Sequence, residues 1–202
     1  MKKHTVSKLT ISMGLALAVA VTSVIIPFNR KCENIRNSVF RLHIIANSDS
    51  EYDQKLKLMV RDGMLTLAES LFADANDYLE AKEIAEQNID ILRQNALQTL
   101  SQNGCQSDVS VTVGKAYFGT REYDDFTLPA GEYDALRIVI GEGGGKNWWC
   151  VMFPAVCLPA AKGDIEDALD SPEAEIVKGG RKYKAAFKIV EIFESVKRFF
   201  KK

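Results

Sequence analysis

His43 is the one histidine outside the N-terminal tail, and it opens the segment His43-Ile-Ile-Ala-Asn-Ser-Asp49. A histidine with a serine and an aspartate nearby is the residue set of nucleophilic catalysis. That chemistry needs a base held against an activated hydroxyl and a third group to orient the base. Proximity along the chain does not supply this geometry. Ser48 and Asp49 sit in the cluster Asn47-Ser48-Asp49-Ser50, whose side chains bond nearby backbone and start helices, a role that accounts for them without chemistry. A strand histidine followed by a polar cap is the first reading, and a contact patch for a partner is the next.

Other chemistries fare no better. Structural zinc wants four ligands at recognisable spacings, whereas Cys32, Cys105, Cys150 and Cys157 contain no C-x-x-C pair and the chain has no H-E-x-x-H. No metal and no cofactor is expected. Gly141-Glu-Gly-Gly-Gly-Lys146 resembles a phosphate-cradling loop, but Ile140 and Asn147 stand where that loop needs glycine and a hydroxyl residue. A flexible hairpin connection is expected instead. Scattered carboxylates offer pairs of the kind glycosidases use, as any acidic surface does. No catalytic residue is assigned, and the chain is expected not to be an enzyme. Cys150 and Cys157 lie seven apart across Pro154, so they can form a disulfide worth ~2.5 kcal/mol or remain buried thiols. Cys32 and Cys105 have no obvious partner.

The elements that would position these residues follow from periodicity. Lys2, Lys3, His4 and Lys8 precede 21 uncharged residues, Leu9 to Asn29 (29 − 9 + 1), enough helix to cross a bilayer. Residues 1–30 read as a signal peptide or a membrane anchor. Ala18-Val19-Ala20 offers a cleavage site, while the apolar run through Ile26 favours the anchor. Residues 31–38 read as a juxtamembrane linker.

Residues 39–158 read as one α+β domain. Val39 to Ala46 alternates as a strand, with Phe40, Leu42 and Ile44 on one face and Arg41, His43 and Ile45 on the other. Leu56, Met59, Val60, Gly63, Met64, Leu67 and Leu71 form a helical stripe over about 51–71, with Lys57 placed off it in water. A second helix opens at Asp77 with Glu80 three residues on and stops at Asn103-Gly104. Strands follow at Val109–Val113, Tyr133–Ile140 and Trp148–Phe153. The order β-α-α-β-β-β predicts a mainly antiparallel four-stranded sheet with two long helices on one face.

Residues 159–180 carry many carboxylates and read as a solvated acidic linker. Residues 181–202 read as a basic amphipathic helix with the stripe Ala186, Ile189, Val190, Phe193, Val196 and Phe200. Such a helix can lie on an anionic membrane surface or dock on its own domain. The net charge of −1 gives no sign of a nucleic-acid partner.

The chain resembles the stage II sporulation protein R family at Arg41-Leu-His-Ile-Ile-Ala-Asn-Ser-Asp49, Leu56-Lys-Leu-Met-Val-Arg-Asp62, Leu128-Pro-Ala-Gly-Glu-Tyr133 and Gly141-Glu-Gly-Gly-Gly-Lys-Asn-Trp-Trp-Cys150 through Cys157. The resemblance implies a forespore product exported across the forespore membrane into the intermembrane space. There it would trigger the membrane-embedded aspartic protease, stage II sporulation protein GA, which processes the sigma-E precursor. It supplies no catalytic residues. Because binding energy concentrates in a few aromatic and arginine side chains, the expected contacts are Trp148, Trp149, His43 and Arg41. An exported peptidoglycan-acting enzyme, and an inhibitor or assembly factor of a membrane protein, remain the alternatives.

Overall fold

A computed structural model of the chain describes residues 2–123, 125–154 and 165–200. Its centre is a four-stranded sheet in the order β2-β5-β1-β6, built from β1 (Phe40–Ile45), β2 (Val109–Phe118), β5 (Gly131–Ile140) and β6 (Asn147–Phe153). The short strands β3 (Arg121–Glu122) and β4 (Thr127–Leu128) pair separately. The sheet is mixed: β2 with β5 and β1 with β6 run antiparallel, but β1 lies parallel to β5. Every residue of β1 is buried, as a central strand covered on both faces requires.

One face meets helices α2 (Glu51–Leu71), α3 (Tyr78–Gln87) and α4 (Ile89–Gln102). Their core holds Phe40, Leu42, Ile44, Val60, Met64, Leu92, Leu100, Leu136 and Ile138. The Ser50 side chain caps α2 by accepting from the Asp53 N–H, and Asp77 caps α3 through the Leu79 and Glu80 N–H groups. The expected second helix is in fact two. At Asn88 the side-chain amide donates to the Ile84 carbonyl at 2.8 Å, and the backbone leaves helical geometry at φ −115°, ψ 22°. Gly104, at φ +74°, ends α4 while Cys105 N–H reaches the Leu100 carbonyl.

The opposite face is covered as well, which the expected architecture omitted. The end of α1 (Lys2–Arg36), α5 (Ser171–Lys178) and α6 (Lys184–Phe200) enclose Cys32, Ile35, Phe118, Leu128, Tyr133, Val151, Ile176, Val177, Phe187 and Val190. Residues 31–36, read as linker, therefore finish a helix and enter the core. The stretch read as solvated and acidic contains α5, whose Ile176 and Val177 are buried and whose Glu173 accepts from the Asn34 amide at 2.9 Å. Among the described residues no helix is long and apolar enough to cross a membrane. The side chains at 2–11, 17–18, 20–21 and 24, which hold much of the apolar sequence of α1, lie outside that description.

The glycine-rich segment is not a hairpin turn. Because β1 lies between β5 and β6, residues 141–146 must cross over the end of β1. They pass so close that Gly141, at φ +55°, has no room for a Cβ beside the Asn47 side chain, nor Gly145 beside the Ser48 carbonyl. The crossing is bonded along its length: Gly144 N–H to Asn47 O, Gly145 N–H to Ala46 O, Glu142 N–H to Asn47 Oδ1 and Lys146 N–H to Asp49 Oδ1. Lys57, expected in water, is 4% exposed, and its ammonium donates to Lys146 O at 3.0 Å and Gln54 Oε1 at 2.6 Å.

Candidate functional site

Arg41 and His43 project from β1 to the face opposite α2, and strand register sets their neighbours. His43 pairs with Arg137 of β5 and with Trp149 of β6, while Arg137 pairs with Thr112 of β2. The row Trp149-His43-Arg137-Thr112 thus crosses all four strands. Two residues away, Val151-Arg41-Ala135-Gly114 forms the next row, and Arg41, Ala135 and Val151 in it are buried. In the outer row Arg137 and Thr112 are exposed and Trp149 is half-buried.

The aromatic packing is close. The His43 imidazole stacks on Trp149 at 3.8 Å between centroids and 15° between planes, and Phe118 meets Trp149 edge-on at 4.7 Å. The Arg121 guanidinium lies 5.7 Å from the Trp149 ring. His43 Nε2 pairs with Asn147 Oδ1 at 3.0 Å, while Nδ1 has no partner. Burial holds the imidazole below its ordinary pKa; the Asn147 bond opposes this, and Arg137 and Arg41 add to it. His43 is thus neutral at pH 7.

Arg41 is fully buried beneath the row. Its guanidinium carbon lies 3.9 Å from the Phe118 ring centroid and 4.8 Å from that of Tyr133. Nη2 donates to the Tyr123 hydroxyl at 2.6 Å, whereas Nε and Nη1 have no acceptor. Burial pushes its pKa down, against the influence of Tyr123 and Tyr133.

Trp148 points the other way, into the α2 side, where the Arg61 guanidinium covers its ring at 4.4 Å. Its indole nitrogen is buried without an acceptor. Neither tryptophan is fully buried, so each face of β6 presents one half-covered indole next to an arginine. Of the four expected contact residues, three share a face and Trp148 does not. Arg137 and Arg121, which the sequence did not single out, lie next to His43 and Trp149. The alternation of β5 puts Arg137 on the face of Tyr133 and Ala135, but only the parallel register places it beside His43.

The serine and aspartate of the His43 segment do not approach the imidazole as a relay. Ser48 Oγ and Asn47 Nδ2 both donate to Asp53 Oδ2, and these bonds lower the Asp53 pKa. Asp49 accepts from Lys146 N–H. Cys150 is disulfide-bonded, and Cys32 and Cys105 are free. Cys157, the partner expected for Cys150, lies outside the described residues. Burial pushes the Cys32 thiol up to about 12, with Arg36 opposing and Glu194 adding.

The motif Leu128–Tyr133 is fixed from α1. Arg36 Nη1 donates to Ala130 O at 3.0 Å, its side chain fills the space where Gly131 would carry a Cβ, and Tyr133 donates to Pro129 O at 2.6 Å. The segments Arg41–Asp49, Leu56–Asp62 and Gly141–Cys150 meet at the crossing over β1. The quoted motifs therefore sit at the joints of the fold.

No solved structure matches the chain. Stage II sporulation protein R of Bacillus subtilis (strain 168) is 35% identical over 150 residues, 72% of this chain and 67% of that protein. The family model described as stage II sporulation protein R (spore_II_R) matches residues 36–162, from the arginine that clamps the Leu128–Tyr133 motif through all four strands of the main sheet. The chain belongs to the stage II sporulation protein R family, a family of sporulation proteins.

Proposed function

We propose that this protein is an exported forespore signal that activates, by binding, the mother-cell membrane aspartic protease stage II sporulation protein GA, and so starts processing of the sigma-E precursor. The uncharged run Leu9–Asn29 in α1 carries the domain across or into the forespore membrane and leaves it in the intermembrane space. The observation that carries the contact is the four-strand row Trp149-His43-Arg137-Thr112 with Arg121 beside the indole. A half-covered tryptophan with one arginine beside its ring and a second, exposed arginine in the same row is the composition in which interface energy concentrates. Arg41 holds this row from below, and Trp148 with Arg61 is a second contact at the same strand.

The test uses the full chain in one membrane and the protease with the sigma-E precursor in an apposed one. Arg137→Glu, at an exposed position, abolishes precursor cleavage and leaves the melting temperature unchanged. Trp149→Ala lowers both, because the ring also packs on His43 and Phe118. Full cleavage by Arg137→Glu and Trp149→Ala together removes this row as the contact. Hydrolysis of a peptide or glycan by the chain without the protease overturns the activator reading.

A further inference from the structure

The helix α6 is apolar on two opposite sides. Phe187 and Val190 face the core, with Glu194 in an ion pair to Arg36 at 3.6 Å. On the far side Ile189, Ile192, Phe193, Val196, Phe199 and Phe200 are between 43% and 81% exposed. A helix apolar all round is normally enclosed, so this outer side calls for a cover.

We propose that the cover is α6 of a second copy, running in the same direction. The outer row follows a heptad: Ile189 and Val196 take the a positions, Ile192 and Phe199 the d positions, and Phe193 and Phe200 flank the seam. Apolar residues at successive a and d positions are what a parallel self-pairing seam requires. Lys197, Arg198 and Glu191 fall off the seam, so like charges do not meet across it. Two and a half heptads alone would be too short, but here the helix is already held on its domain.

The orientation of α6 favours this occupant over a lipid surface. Phe28 of α1 meets Tyr183 and Phe187, and Arg36 meets Glu194, so the two helices run side by side in the same direction. A bilayer entered by α1 would lie across the axis of α6, and the apolar row could not rest on it along its length. A two-fold axis parallel to both helices keeps both copies of α1 pointing the same way.

The experiment places cysteines in the full chain carrying Cys105→Ser, reconstituted in neutral phosphatidylcholine vesicles and in vesicles with anionic phosphatidylglycerol. Under mild oxidation, Ile189→Cys and Val196→Cys each cross-link to their own copy in both lipids, severalfold more than Lys197→Cys, which lies off the seam. All three positions are solvent-accessible, so folding is retained and is checked by melting temperature. Equal cross-linking at all three, or none, overturns the proposal. So does the lipid outcome, in which an environment-sensitive dye on Val196→Cys shifts to the blue only with anionic vesicles and no dimer forms.

Discussion

At the level of single residues, His43 is held neutral by burial and by two arginines. The unfolded chain takes up a proton near pH 6.5, while the folded chain resists until a lower pH. The stability contributed by neutral His43 is complete above about pH 6.5 and is lost as pH falls from there through the folded pKa. The melting temperature should fall between pH 7 and 5, and His43→Gln should flatten that slope in differential scanning fluorimetry. An unchanged slope would mean that His43 does not titrate differently on folding. Arg41 makes the opposite case. Its Nε and Nη1 are buried without acceptors, so Arg41→Met should leave stability within about 1 kcal/mol of the parent, or raise it, in urea titration. A loss near ~4 kcal/mol would show a well-satisfied cation. The sequence singled out both residues by type. It could not show that both are buried, Arg41 fully and His43 with 8% exposed, since burial on β1 depends on helices far along the chain.

Among the elements, β1 and α2 were legible because their apolar period is unbroken and their caps are local. The parallel pairing of β1 with β5 was not, because alternation is the same whichever neighbour a strand has. The break at Asn88 was hidden for a similar reason: the apolar spacing continues across it, and only a side-chain bond to Ile84 O interrupts the helix. Glycines 141–145 suggested a loose turn between adjacent strands. Their actual task is to let backbone pass over backbone. Gly145→Ala should therefore cost ~2 kcal/mol or more, as the new methyl meets the Ser48 carbonyl and the Ala46 side chain. Gly114→Ala, on the edge strand β2 with nothing within 4 Å, should be neutral or slightly stabilising. Urea unfolding of the two variants side by side measures the difference, and equal effects would refute the close crossing.

On the scale of the whole molecule, the sheet separates two cores, and the second is closed in part by a segment that charge counting assigned to solvent. Carboxylates in α5 concealed its apolar side, whereas α6 was read as amphipathic and able to dock on its own domain, by a stripe most of which faces outward. Phe187→Ala should cost about 3–5 kcal/mol although it lies outside the family match, whereas Leu79→Ala, exposed on α3, should change stability by less than ~0.5 kcal/mol. Thermal unfolding of both tests whether α6 belongs to the cooperative unit. The Arg36–Glu194 pair joins positions 158 apart (194 − 36), so it forms only after a very long loop has closed. Synthesis delivers α1 early and α6 late. A chain that lacks α5 and α6 lacks Ile176, Val177, Phe187 and Val190 of the second core, so that core closes only once the distal helices have been made.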